Sequence, residues 1–224
     1  MKQQTEAVII GGGVIGCSIA YHLAKLGMTD VMLLERQELT SGSSWHAAGG
    51  VHGLHDTNNI ARLQYYTMNL YRELEQETGQ SVGFHQTGYL YLAQSDERAH
   101  QLRISAAKAR QFHGVEFHEI SLKEAAEKHP FVNFDGIQMA VWESESGHVD
   151  VNGVTHAYAQ AARNRGVTIE RFCPVLETNQ RADGGWDVVT EKGTIQTRVL
   201  VNAAGLWGRE VARLAGLEGL TTAL

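Results

Sequence analysis

Three consecutive glycines, Gly11-Gly12-Gly13, followed by Val14-Ile15-Gly16, give the spacing G-x-G-x-x-G. Residues 7–10 before them are apolar and largely β-branched, and after Gly16 the pattern becomes helical through Ile19, Leu23 and Leu26. A strand that turns on glycines into a helix offers backbone N–H groups and the positive end of the helix dipole to a pyrophosphate. In such a turn Gly11 permits the tight bend, Gly13 the close approach of the ligand and Gly16 the packing of helix on strand. A second apolar run, residues 31–34, ends on Glu35, where a carboxylate can accept both ribose hydroxyls and would repel a 2′-phosphate. An adenosine dinucleotide is therefore expected, either FAD or NAD, with NADP disfavoured. A Gly-rich turn of an ordinary α/β protein would account for the glycines but not for Glu35.

The next block is Glu35-Arg36, then Leu39-Thr40-Ser41-Gly42-Ser43-Ser44-Trp45-His46-Ala47-Ala48-Gly49-Gly50. It resembles the flavin-contacting stretch of the D-amino-acid oxidase superfamily. Its Trp-His-Ala-Ala-Gly core resembles more narrowly the dimethylglycine dehydrogenase and sarcosine dehydrogenase branch. The resemblance implies FAD, and it implies that His46 matches the histidine joined covalently to the flavin C8 methyl in that branch. A neutral imidazole is a competent nucleophile for such a bond, and the small residues around it leave room for the ring edge. The alternative is an ordinary loop histidine in noncovalent contact.

The resemblance continues through Pro174-Val175, where Val175 matches a backbone contact on the adenine side, and through Val201-Asn202-Ala203-Ala204-Gly205-Leu206-Trp207, similar to the second flavin-binding strand. It thus implies cofactor contacts at Gly11, Gly13, Val14, Ile15, Gly16, Glu35, Arg36, Gly42 to Gly50, Val175, Ala204, Gly205 and Trp207, although Trp207 alone could be core. The activity it implies is oxidation of the C–N bond of an N-methylated amino acid, giving an iminium that hydrolyses to formaldehyde and the demethylated product. No catalytic residue is assigned.

Other reactive side chains carry less. His52 and His55 have a spacing open to metal, but no Cys or carboxylate cluster accompanies them and there is no HExxH, so loop histidines are the simpler reading. Tyr65, Tyr66 and Tyr71 fit amphipathic packing, and His85 with Tyr89 to Tyr91 falls on the substrate-side strands without an assigned role. Glu143, Glu145 and His148 read as a solvated acidic loop.

The elements that must position these groups follow from periodicity. The chain opens with a βαβ unit over residues 7–35. A helix is predicted over 58–79, a strand through the alternation Tyr89-Leu90-Tyr91-Leu92, a polar helix over 95–112 and a strand over 115–119. Ser121 with Glu124 makes a capping box for a helix that Pro130 ends, and 136–142 reads as a further strand. A helix over 152–165 stops at Gly166 and leads into a strand over 167–171. Strands over 175–178, 186–190 and 193–196 read as an antiparallel meander, with a separate buried strand over 198–202. The fold class is thus α/β: a Rossmann-like FAD-binding domain from residues 1–80 and 145–224 with an inserted antiparallel meander, and a partial α+β substrate domain over 81–144.

Composition narrows the rest. Nineteen Lys and Arg against 25 Asp and Glu, with no basic run, argue against a nucleic-acid surface. No apolar run approaches a membrane span and residues 1–7 lack a signal-peptide layout. Two cysteines, Cys17 and Cys173, suggest no disulfide framework, so a cytoplasmic setting is expected. Members of the resembled family continue well beyond a segment like 202–215. A chain of 224 residues is therefore expected to be C-terminally truncated relative to them. The expected partners are a small-molecule amine, and a second chain completing the fold or accepting electrons. The alternative function is a non-catalytic, partner-dependent FAD-binding fragment. An NAD-linked dehydrogenase is disfavoured, because it leaves Ser41 to Gly49 and Asn202 to Gly205 unexplained.

Overall fold

The computed structural model describes residues 2–55, 57–113 and 117–217. These fall into two compact units, one made of residues 1–48, 74–82 and 150–224, the other of 49–73 and 83–149.

The first unit is built on a six-stranded sheet. Its strands are β1 (Gln4–Ile10), β2 (Val31–Leu34), β8 (Thr168–Glu170), β9 (Val175–Gln180), β10 (Trp186–Thr190) and β11 (Gly193–Asn202), in the spatial order β8-β2-β1-β11-β10-β9. The four strands from β8 to β11 run parallel, and β10 and β9 add antiparallel neighbours. Ala7, Val8, Ile9 and Leu33 are all fully buried, as expected of parallel strands covered on both faces. Val8, Ile10, Met32 and Leu34 pack on one face with Cys173, Val188 and Ile195. Helices α1 (Val14–Lys25) and α5 (Val151–Asn164) pack together through Tyr21 and Tyr158, whose ring centroids lie 5.6 Å apart. Asp150 caps α5, its carboxylate accepting from Asn152 N–H at 3.0 Å.

One expectation is corrected here. Residues 193–196 and 198–202 form the single strand β11, not two. Nothing between Gln196 and Arg198 breaks the chain, and Thr197 is buried and paired on both sides, with Trp186 of β10 and Thr5 of β1. The meander exists, but its last strand runs straight into the parallel sheet. Nor is the 198–202 portion fully buried: Val199, Leu200 and Val201 are half-buried.

The second unit has an antiparallel sheet in the order β4-β6-β5, from β4 (Tyr89–Ala93), β5 (Phe117–Ile120) and β6 (Met139–Glu143). Helix α3 (Asp96–His113) supplies Ala99, Leu102, Ala106 and Ala109 to a core with Ala93, Phe117, Met139 and Val141. Of the strand expected over 115–119, residues 115 and 116 lie outside the described residues. Ser121 caps α4 (Leu122–Lys128) as the sequence predicts, accepting from Glu124 N–H at 3.1 Å. A two-residue ribbon pairs β3 (Gly50–Val51) with β7 (Gly147–His148). Helix α2 (Asn58–Thr78) begins in this unit and contributes its last residues to the first. Among the described residues, no helix is long and apolar enough to cross a membrane.

Candidate functional site

The carboxyl ends of β2, β1 and β11 meet in register, Leu34 beside Ile10 and Ile10 beside Asn202. The chain leaves each strand through a short backbone bond to its neighbour: Gly11 N–H donates to Leu34 O at 2.9 Å, and Ala203 N–H to Ile10 O at 2.9 Å. Open α/β sheets bind ligands at this edge. Gly11 has φ of +116°, and a Cβ there would collide with the Ala203 carbonyl. A Cβ at Gly16 would collide with the Gly11 carbonyl, so glycine at both positions lets the first turn of α1 sit against the strand ends. Gly13, the residue before that turn, has no side-chain cap.

Glu35 organises the loop. Its Oε2 accepts from Gly12 N–H at 2.7 Å and its Oε1 from Gln37 N–H at 2.8 Å. Its own carbonyl accepts from Cys173 N–H at 2.9 Å, which ties the start of the Pro174-Val175 segment to the same edge. Each carboxylate oxygen keeps a second acceptor position for a ribose hydroxyl.

The Ser-rich block is anchored to this turn. Thr40 N–H donates to Gly12 O at 3.1 Å and Ser44 Oγ accepts from Val14 N–H at 2.9 Å, so the Ser44 hydroxyl sits at the N-terminus of α1. Thr40 holds φ of +72°, a conformation that costs a β-branched residue energy and tends to mark functional loops. No residue type around Thr40 signals it. Ser44-Trp45-His46 form a 3-10 turn with the Trp45 and His46 ring centroids 3.8 Å apart. His46, Ala47 and Ala48 are exposed. The Arg36 guanidinium lies 3.9 Å over the Trp207 ring, so Trp207 is a stacking platform at the rim and not a core residue. Ile15, Trp45 and Leu206 present apolar side chains 64%, 54% and 66% exposed. A polar cradle beside such apolar surface fits a pyrophosphate joined to a large planar ring system.

The structure thus gathers, in the first unit, Gly11 to Gly16, Glu35, Arg36, Gly42 to Ala48, Val175, Ala204, Gly205 and Trp207. Gly49 and Gly50 belong to the second unit. A charged cleft lined by Lys2, Glu6, Asp30 and Arg198 lies at the opposite, amino end of β1, and its charges are mutually paired, as Arg198 with Glu6 at 2.8 Å. Among the described residues, no group of three or more His, Cys, Asp or Glu side chains is placed to hold a metal ion.

The reading of Glu143 as solvated is wrong. It is the last residue of β6, fully buried, with Tyr91 donating to its Oε2 at 3.2 Å. Burial pushes its carboxyl up, against hydrogen bonds from Ser146, Gly53 and Tyr91. Glu143 shares a face of β6 with the core residues Met139 and Val141, but Met139, Ala140, Val141 and Trp142 are all apolar, so no alternation in the sequence reveals that face.

Comparison with known proteins is consistent with the cradle. The family model described as "FAD dependent oxidoreductase" (DAO) matches residues 6–222. Mitochondrial dimethylglycine dehydrogenase of Rattus norvegicus is 43% identical over 217 residues, covering 97% of this chain and 25% of the relative. Mitochondrial sarcosine dehydrogenase of Homo sapiens is 37% identical over 226 residues, with 97% and 24% covered. Among solved structures, L-proline dehydrogenase from P. horikoshii superposes with a TM-score of 0.88 at 28% identity, over 97% of this chain and 57% of that one. The chain spans about a quarter of the length of the two curated relatives.

Proposed function

The chain belongs to the FAD dependent oxidoreductase family, and from that premise we propose that it forms the cofactor-binding part of an enzyme oxidising the C–N bond of N-methylated amino acids, of the sarcosine or dimethylglycine type. The names of the two relatives support the substrate class. The carrying observation is the cradle at the strand ends, where Glu35 already holds the Gly12 turn with room left for a ribose. In this reading residues 1–80 and 145–224 serve the cofactor and 81–144 the substrate side.

The side chains divide the binding. Gly13, Val14 and Ile15 face the pyrophosphate on the turn that Gly11 and Gly16 make possible, Glu35 takes the ribose hydroxyls, and Arg36 on Trp207 closes the rim. Val175 lines the adenine side by its backbone, and Ala204 and Gly205 leave room for the flavin. Gly42, Ser43, Ser44, Trp45, Ala47, Ala48, Gly49 and Gly50 shape the approach of the ring. His46, exposed between Trp45 and two alanines, is the nucleophile we assign to a covalent bond with the flavin C8 methyl. FAD supplies the acceptor for the two electrons and the hydrogen leaving the substrate carbon. Oxygen or an electron-transfer partner would be the final electron acceptor. Two buried free thiols suit a reducing compartment; we place the protein in the cytosol, although both relatives are named mitochondrial.

Acid precipitation of the FAD-loaded protein tests the assignment. A pellet that keeps flavin absorbance, and loses it in His46→Ala, is the expected result, with bleaching by sarcosine or dimethylglycine under anaerobic conditions. Protein that binds FAD but releases it all into acid removes the covalent bond. Flavin that neither amine reduces removes the substrate class and leaves a non-catalytic FAD-binding chain.

A further inference from the structure

His85 and His148, far apart in sequence and without a part in the cradle, are cross-strand neighbours within the second unit. Their backbones bond each other twice: His85 N–H donates to His148 O at 2.8 Å, and His148 N–H to His85 O at 3.0 Å. Such a reciprocal pair fixes both Cα atoms and sends the two side chains to one face. Gly147 makes the approach possible, because a Cβ there would strike the His85 carbonyl. On its other side His148 pairs with Gly50, which has no side chain to crowd the ring. Both histidines are exposed, with ring centroids 5.1 Å apart and planes inclined at 32°. Among the described residues, neither ring is tied up by a hydrogen bond. The Arg72 guanidinium is held by Phe84 and Gln86, which alternate with His85 and so face the other way.

We propose that His85 and His148 together bind one Zn(II) ion, each through a ring nitrogen, with water completing a tetrahedral shell. The ring separation carries the assignment. With Zn–N bonds of about 2.0–2.1 Å and a ring nitrogen about 1.1 Å from its centroid, a tetrahedral ion sets two imidazole centroids about 5.2 Å apart. Neighbouring positions on a square-planar ion would bring them to about 4.5 Å. The observed 5.1 Å matches the tetrahedral shell, which Zn(II) favours and Cu(II) does not. Among the described residues no third His, Cys, Asp or Glu joins the pair, so the remaining positions stay exchangeable and the ion is taken up reversibly. Bound there, it fastens the chain at His85 to β7, whose other neighbour is the Gly50-Val51 strand that follows the Trp-His-Ala-Ala-Gly block.

The pair needs no flavin, so the full chain without cofactor serves for the test, and failure would leave the FAD reading untouched. Zn(II) titrated in competition with a weak chromophoric chelator should saturate the protein at one equivalent. Losing a ligand costs at least as much as losing its outer-shell partner, so His85→Gln and His148→Gln should each weaken uptake at least about 10-fold. His100→Gln, which removes an exposed histidine of α3, should leave it unchanged. Co(II) in place of Zn(II) should give the intense visible bands of a tetrahedral ion, absent in either ligand variant. Backbone atoms and not the rings make the His85–His148 bridge, so both variants should keep the wild-type circular dichroism. Uptake that survives both substitutions overturns the proposal. The wild-type protein alone can also refute it, by taking no ion from the chelator or by giving Co(II) bands too weak for a tetrahedral shell.

Discussion

Replacing Glu35 by Gln tests whether one carboxylate both builds the glycine turn and binds the ribose. The wild-type group accepts two backbone N–H bonds, from Gly12 at 2.7 Å and Gln37 at 2.8 Å, one on each oxygen. Gln keeps a single acceptor oxygen, and its amide nitrogen can only donate. One N–H must therefore lose its partner and face another donor. A hydrogen bond to a charged group contributes about 1.5–3 kcal/mol. The Gln37 bond is exposed and the Gly12 bond part-buried. Relaxation will therefore keep the Gly12 bond, and the net loss should sit near the lower end, about 1.5–2 kcal/mol. Urea unfolding of the flavin-free protein, followed by tryptophan fluorescence, should show that loss with the m-value unchanged. The ribose also loses a charged acceptor, so the Kd for FAD, from quenching of flavin fluorescence, should rise roughly 10- to 100-fold. A variant as stable as wild type to within ~0.5 kcal/mol would show that the carboxylate does not organise the turn. Unchanged FAD affinity would show that it does not reach the ribose.

Further outcomes follow from single groups. Asp150→Ala removes the cap of α5 and should cost about 1 kcal/mol, seen as a lower denaturation midpoint. Burial pushes the Cys17 thiol up to about 12, so alkylation at pH 8 should be slow in the folded protein and fast in urea; rapid native labelling would contradict the buried position. Because the Glu143 carboxyl is raised on folding, the folded protein keeps a proton that the unfolded chain has released above its ordinary value near pH 4.3. Stability should thus fall as pH rises from there until the folded group itself ionises. Glu143→Gln should lack that decline, and identical pH profiles for the two proteins would refute the raised carboxyl.

Much of the cradle was legible because each of its parts depends on local sequence. A β-branched run halting at Gly11, a helix period after Gly16 and an acid after Leu34 leave few alternatives to a βαβ turn, and the strand observed over Val31–Leu34 has the predicted bounds. What escaped was set by distant partners. Residues 193–202 read as two strands because the pairing changes at Thr197 from β10 to β1, and no residue type signals such a change. Glu143 read as surface because a carboxylate is rarely buried, and only the closing of β4 and β5 on either side of β6 covers it. The strain at Thr40 arises where the loop is bonded back to Gly12, a contact invisible in the order of residues.

The parallel pairing of β1 with β11, Gln4 beside Gln196 through Ile10 beside Asn202, carries a kinetic consequence. Of these two strands β1 is made before β11, and its open edge is filled only once β11 follows, whereas the β4-β6-β5 sheet lies wholly between them in the chain. Such long-range closure is slow, because chain entropy is lost before the contacts repay it. The intervening sheet should accordingly gain its hydrogen-exchange protection first during refolding, with the edge of β1 the segment most exposed to mispairing in the interval.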